Sequence, residues 1–485
     1  MQNNNFLGEK RRSYIEYIFM AFFLLYAVLS SNSITYGKSI ITPIMWVSFA
    51  LSLLVLCYRL INYKLYLKIP ETLILFFLIF SIGISTLINY NYSFKRNVIF
   101  CIYWVIYFLV LFTTEKNKTK ESCKKDIKFI SVIFVAYTTV AVIASLVLYA
   151  MNVSITTVIE DSGYTYNLGF VWGRLWGVFI NPNNGAISSA ISIIILAYVF
   201  IRNKRFWVRI LSALDVIMHL LYIVFSDSRS GAIVLSVSVA VFVLCAISIT
   251  IKDKKLLLKG ASFALAACIG ISCFLGMRYL RTPVNNIINI AASQFSDNDK
   301  DSDIDKDNDK DNDNDNDNDK HSNIIDRGYD LSDDISNRRF DVWKSGLEVY
   351  LNSPKNMLVG LSFCGFTDYA RENMPQTYIV NNDFADMTTF DNEVVNILVS
   401  NGGIGLLCAL ALVIYVLVCI FKNFRYVNRS DKYFSALVIS VPVALASAAM
   451  FSSVMFYHFS PNAIIFWFVL GRCLAFLKSN KECSE

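Results

Sequence analysis

The chain has 485 residues, 55% of them hydrophobic, and its mean hydropathy is +0.47. That is too apolar for a water-soluble domain and marks an integral membrane protein. The net charge of +6 does not point to nucleic acid as a partner, because the basic residues stand in short clusters between apolar runs of about 20 residues, as membrane-orienting charges do.

Counting runs long enough to cross about 30 Å of hydrocarbon predicts twelve spans. They lie near 17–36, 39–59, 70–90, 97–114, 127–150, 184–201, 208–226, 230–250, 257–277, 402–421, 433–457 and 461–478. The expected fold class is an all-α polytopic membrane protein. Three parts follow: residues 1–277 with spans one to nine, a large extracellular loop 278–401, and residues 402–485 with the last three spans and a tail. The first run, YIFMAFFLLYAVLSS, follows Lys10, Arg11 and Arg12 and lacks a small-x-small cleavage site, so it reads as a retained anchor. With the N-terminus inside, the alternating inner segments hold well over half of the 44 Lys and Arg. Both termini are then cytoplasmic and the protein sits in the cytoplasmic membrane. Most of the 11 cysteines fall inside apolar runs, where they act as small hydrophobes, and their spacing suggests neither a disulfide framework nor a metal site.

Four features come to lie outside. The first is segment 151–183 with the stretch GRLWGVFINPNN, and the second is the tight turn FSDSRSG. Outer short loops carry few cations, so Arg174 and Arg229 stand out there. Asn181-Pro182-Asn183 is a good helix-start turn, and its amides also suit sugar hydroxyls. Trp172 and Trp176 are interface anchors or stacking faces for sugars.

The third feature is the long loop. Asp fills every odd-numbered position from Asp297 to Asp319, and tract 297–320 has almost nothing apolar to bury, which predicts disorder. A calcium loop would need a turn glycine and a Glu at its twelfth position, both missing. Beyond the tract, Phe340, Trp343, Leu347 and Tyr350 form a helical stripe that Ser336 would cap and Pro354 would end. Arg338 and Arg339 then occupy its first turn, where the helix dipole disfavours cations, so binding explains them better than helix stability. In TTFDNEVVNILVSNGG a second short helix ends at Gly402-Gly403 and is expected to lie along the outer membrane surface. The fourth feature is the turn YHFSPN at 457–462.

Guanidinium matches phosphate oxygens with a two-pronged fork, so Arg174, Arg229, Arg338 and Arg339 together suit a lipid-linked pyrophosphate. RLWGVFINPNNGA, SDSRSGAIVLS, RRFDVWKSGL and FDNEVVNILVSNGGIGLL, in that order and spacing over about residues 165–420, resemble the O-antigen ligase and polymerase superfamily. The resemblance implies a C-type membrane glycosyltransferase without a nucleotide-sugar site, a required metal or another cofactor. It implies transfer of a glycan from undecaprenyl pyrophosphate to an acceptor glycan on the outer face, for capsule, exopolysaccharide or O-antigen. A flippase and a chain-length regulator of the same pathway are the implied protein partners. Ligases of this family usually carry His-Asn where this chain has Asp391-Asn392, and Asp-Asn is common in the polymerases.

On this reading Arg174 and Arg229 stabilise the leaving pyrophosphate and Asp391 takes the acceptor's proton, with Glu393 and His458 as rival bases. Arg338, Arg339, Asn181, Asn183, Asn392 and Trp343 bind substrate. A ligase shares every motif and differs in acceptor. A transporter should show repeated halves and ionisable residues at the midplane, and only Asp215 and His219 answer that description.

Overall fold

The computed structural model describes residues 2–159, 164–252, 254, 256–297, 339–381 and 389–482. The Asp tract beyond Asp297, Ser336 and Arg338 lie outside the described residues.

Helices come where the apolar runs are. The first half contains α1 (Gln2–Ser30), α2 (Ile41–Ile61), a single turn α3 (Tyr63–Tyr66), α4 (Glu71–Ile88), α5 (Phe94–Val105) and α6 (Lys120–Ala150). α5 runs on as a π-helix over Ile106–Phe112. After a small sheet follow α7 (Pro182–Arg202), α8 (Phe206–Phe225), α9 (Arg229–Thr250) and α10 (Leu256–Asp297). The long loop holds α11 (Arg339–Leu351), α12 (Pro354–Val359) and α13 (Phe366–Asn373), and the chain finishes with α14 (Glu393–Phe424), α15 (Lys432–Ala448) and α16 (Pro461–Glu482). Among the described residues, eleven helices are long and apolar enough to cross a membrane, and Tyr14–Ser30 of α1 is a shorter apolar helix.

α16 is the central helix. Nearly every side chain on it is buried, against the π-helix, α6, α14 and α15. Its Gly471 meets the π-helix so closely that a Cβ would stand 1.9 Å from the Phe112 carbonyl oxygen. The outward faces of α2, α4, α8 and α14 expose Leu53, Phe76, Leu214, Leu407 and Ile414. Water would not tolerate so continuous an apolar belt, whereas lipid requires it. The protein is therefore a multi-pass, essentially all-α membrane protein.

The structure adds to or corrects several expectations. Segment 151–183 is no plain connection. β1 (Ser154–Ile159), β2 (Tyr164–Val171) and β3 (Arg174–Gly177) form an antiparallel sheet in the order β1-β2-β3. SITTVI is rich in β-branched residues, and Trp172-Gly173 makes a two-residue hairpin turn with φ of 53° and 65°. The ninth span continues as helix for about 20 residues past 277, to Asp297. The eleventh stops at Ala448, and residues 449–460 form an irregular, mostly buried strap. In α11 the buried residues are Ser345, Gly346 and Val349, while Phe340 and Leu347 of the expected stripe are exposed.

The helix at 393–401 does end at Gly402, whose φ of 66° and ψ of −168° interrupt α14. Only glycine takes that conformation readily. A Cβ there would stand 2.3 Å from the Leu358 carbonyl oxygen, because the backbone of 360–362 runs alongside: Leu361 N–H donates to Val399 and Ser362 N–H to Ser400. This helix is not a surface element, since Glu393, Val395, Asn396, Ile397, Val399, Ser400 and Asn401 are all buried.

Candidate functional site

A cavity of about 560 Å³ opens at the end of the bundle where α1 finishes and α5, α7, α14 and α16 begin. Its wall draws on five connections: Ser31 after α1, Arg96 at the start of α5, Asn181 and Asn184 at the start of α7, Cys364 to Arg371 and Thr389 from the long loop, and His458 from the strap. Tyr137, Phe179, Phe363 and Phe459 give it aromatic sides.

One group of expected residues stands beside the Asn181 wall. The Trp172-Gly173 turn sets Arg174 at the first position of β3, opposite Val171. Arg174 Nε donates to the Ser226 carbonyl (3.0 Å) and its Nη2 to Asn183 Oδ1 (3.1 Å). Asn183 Oδ1 also accepts from Ser228 Oγ at 2.9 Å. Ser228 caps α9 and Asn181 caps α7, each side-chain oxygen accepting a backbone N–H in the first turn. The two N-termini meet because Gly231 of α9 lies against Ala186, where a Cβ would be 2.5 Å from the Ala186 Cβ. Arg229, half-buried, opens α9 beside Ser228. Two arginines and two positive helix ends therefore share one corner, an arrangement that favours an anion.

A second group stands behind the Thr389 wall. Asp391 takes a left-handed conformation (φ 49°), which Asp tolerates better than most residues. Burial pushes its carboxyl above the usual carboxylate range, and the Arg339 charge and a hydrogen bond from Thr389 oppose that rise. Asn392 is a helix cap: its Oδ1 accepts from Val394 and Val395 N–H, and its Nδ2 donates to the Met450 carbonyl. Trp343 donates to the Phe390 carbonyl at 2.8 Å and so props the loop bearing Asp391. Among the described residues, Asn181 of the expected catalytic and substrate-binding set lines the cavity itself.

The rival bases part company. Glu393 is 2% exposed, and its Oε1 accepts from Met455 and Phe456 N–H at 2.8 and 3.1 Å. It fastens the strap to α14. His458 does line the cavity. Asp215 accepts from Thr139 at 2.8 Å, while His219 lies 3.5 Å from it with neither ring nitrogen hydrogen-bonded.

Arg96 and Arg371, both in the cavity wall, were missed from the sequence. The scarcity of outer cations that singled out Arg174 and Arg229 applies equally to Lys95-Arg96, in the first turn of α5. Arg371 had no such signal; it lies one turn from Asp368 on α13, Nη1 to Oδ1 3.6 Å, and Asp368 in turn accepts from Ser93.

No curated protein matches the chain. Residues 216–410, less than half of the chain but spanning α9 through the first half of α14 with the Asp391 loop, match the family described as O-Antigen ligase. Over those residues the chain is similar to the O-Antigen ligase family, in agreement with the resemblance that its motifs carry.

Proposed function

We propose that the protein is a polysaccharide polymerase that joins undecaprenyl-pyrophosphate-linked repeat units on the outer face of the cytoplasmic membrane. The observation that carries this reading is the O-antigen ligase match over the Asp391 loop, together with a cavity flanked by a doubly capped arginine corner and by a carboxylate. Its volume of about 560 Å³ is in the range of small-ligand sites. The cavity end is the outer end on the Lys and Arg distribution. An impermeant thiol reagent should then label cysteines placed at Ser302 and Ser322 in intact cells and spare one at Ser430; the reverse pattern would invert the orientation.

In the proposed reaction an acceptor hydroxyl oxygen bonds to the anomeric carbon of the donor glycan as the bond from that carbon to the pyrophosphate oxygen breaks. The hydroxyl proton passes to the Asp391 carboxylate. The electron pair leaves with lipid pyrophosphate, whose developing charge meets Arg174, Arg229 and the two helix ends. The Arg339 charge opposes the rise that burial gives the Asp391 pKa. The described positions of Asn392 and Trp343 give them a supporting part in this scheme: they hold the loop and reach substrate through Asp391.

Glycan length in a deletion strain tests the class. Loss of a polymerase leaves single lipid-linked repeat units, loss of a ligase leaves long lipid-linked chains, and loss of a transporter leaves neither outside. Only the first outcome agrees with the proposal.

A further inference from the structure

On one side of the cavity the polar groups form a single uncharged chain. Ser188 Oγ donates to Asn462 Oδ1 (2.9 Å), Asn462 Nδ2 donates to the Asn184 carbonyl (3.2 Å), and Asn184 Nδ2 meets His458 Nε2 at 3.0 Å. All four residues line the cavity. They come from the first two turns of α7, the first turn of α16 and the end of the strap, so the tertiary fold alone assembles them.

The chain fixes the histidine tautomer. Nδ2 of Asn184 has only protons to offer, so His458 Nε2 accepts and the ring proton sits on Nδ1. Turning the Asn184 amide over would bury a two-proton donor in the place now held by its unpartnered Oδ1, and an orphaned donor is the rarer and costlier arrangement. Tyr107 hydroxyl donates to the His458 carbonyl at 3.1 Å and holds the backbone. Burial pushes the imidazole down to about 4, so the ring is neutral at physiological pH. A neutral ring already engaged at Nε2 has an N–H to give and no lone pair for a proton. It therefore suits an oxygen acceptor such as a sugar hydroxyl, and the base role does not fit it.

We propose that Ser188, Asn462, Asn184 and His458 form a subsite for an uncharged sugar ring, with the His458 Nδ1–H donating to a hydroxyl or carbonyl oxygen of that ring. Phe179 and Phe459, which also line the cavity, add apolar surface to it. The proposal rests on the glycan-transfer reading for its ligand and divides the cavity: sugar at the histidine side, with the lipid pyrophosphate elsewhere.

The test is binding, which needs no turnover. The probes are the repeat-unit oligosaccharide released from its lipid and undecaprenyl pyrophosphate alone, read by tryptophan fluorescence of the purified protein in detergent. Losing one hydrogen bond to an uncharged partner predicts about a tenfold weaker Kd for oligosaccharide in His458→Leu, with undecaprenyl pyrophosphate binding within about twofold. His458→Gln, which keeps a neutral N–H, should recover most of the loss. Equal weakening toward both probes, or no change toward oligosaccharide, would overturn the subsite. So would wild-type protein that binds no oligosaccharide.

A second measurement covers a variant that does not fold. In wild-type protein labelled with 15N-histidine, oligosaccharide should shift the His458 Nδ1–H resonance while undecaprenyl pyrophosphate does not. A resonance that oligosaccharide leaves in place would also overturn the proposal. Sugar binding retained by a protein that elongates nothing would remove the polymerase reading and leave the subsite standing.

Discussion

Replacing Arg174 or Arg229 by Lys is expected to lower glycan transfer by about 10²-fold or more, although the positive charge is kept. Arg174 uses Nε on the Ser226 carbonyl and Nη2 on Asn183. A single ammonium cannot hold both while meeting a phosphate oxygen, because it lacks the rigid planar fork. Arg229 starts α9, a place where the helix dipole works against a cation and favours an anion. The check is a transfer assay on purified variants beside their thermal unfolding. Lost transfer with an unfolding temperature close to that of the wild type supports the anion site. Full activity in both Lys variants would leave the corner with a packing role only.

The second large effect concerns Asp391. Asp391→Asn keeps the size of the side chain and its tolerance of the left-handed backbone, yet it cannot accept a proton. Transfer should fall on the order of 10²-fold while donor binding survives. The pH profile gives a sharper signature. Burial raises the Asp391 pKa and Arg339 opposes the rise. A base works only when ionised, so wild-type activity should fall as pH drops through this raised pKa, above the ordinary carboxylate range. Removing the opposing charge in Arg339→Gln should move that acid limb to higher pH. An acid limb that stays in place, or moves the other way, would separate Arg339 from Asp391 in function. Normal elongation by Asp391→Asn would end the case for this carboxylate as the base.

The membrane helices were legible because each apolar run is long enough to span and local composition decides it. Gly402 was legible for a similar reason, since two adjacent glycines interrupt a helix whatever surrounds them. The sheet at 154–177 was not. Its strands alternate too briefly to stand out in a chain so apolar, and its register depends on a Trp-Gly turn that no strong turn motif announces. Roles within the site were still less legible. Asn392 and Glu393 sit beside Asp391 in sequence and read as chemistry, yet one caps α14 and the other pins the strap through Met455 and Phe456. Nothing local distinguishes a carboxylate that binds two backbone N–H groups 62 and 63 residues away from one that takes a proton. His458 and Asn184 likewise become partners only when α7 and α16 begin side by side.

The central claim is that this chain lengthens glycans on a lipid pyrophosphate. Purified protein in liposomes, given only undecaprenyl-pyrophosphate-linked repeat units, should produce a ladder of products rising by one repeat unit per step, resolved by gel electrophoresis. Repeat units that stay single, or that are lengthened only when a different acceptor is supplied, would contradict it.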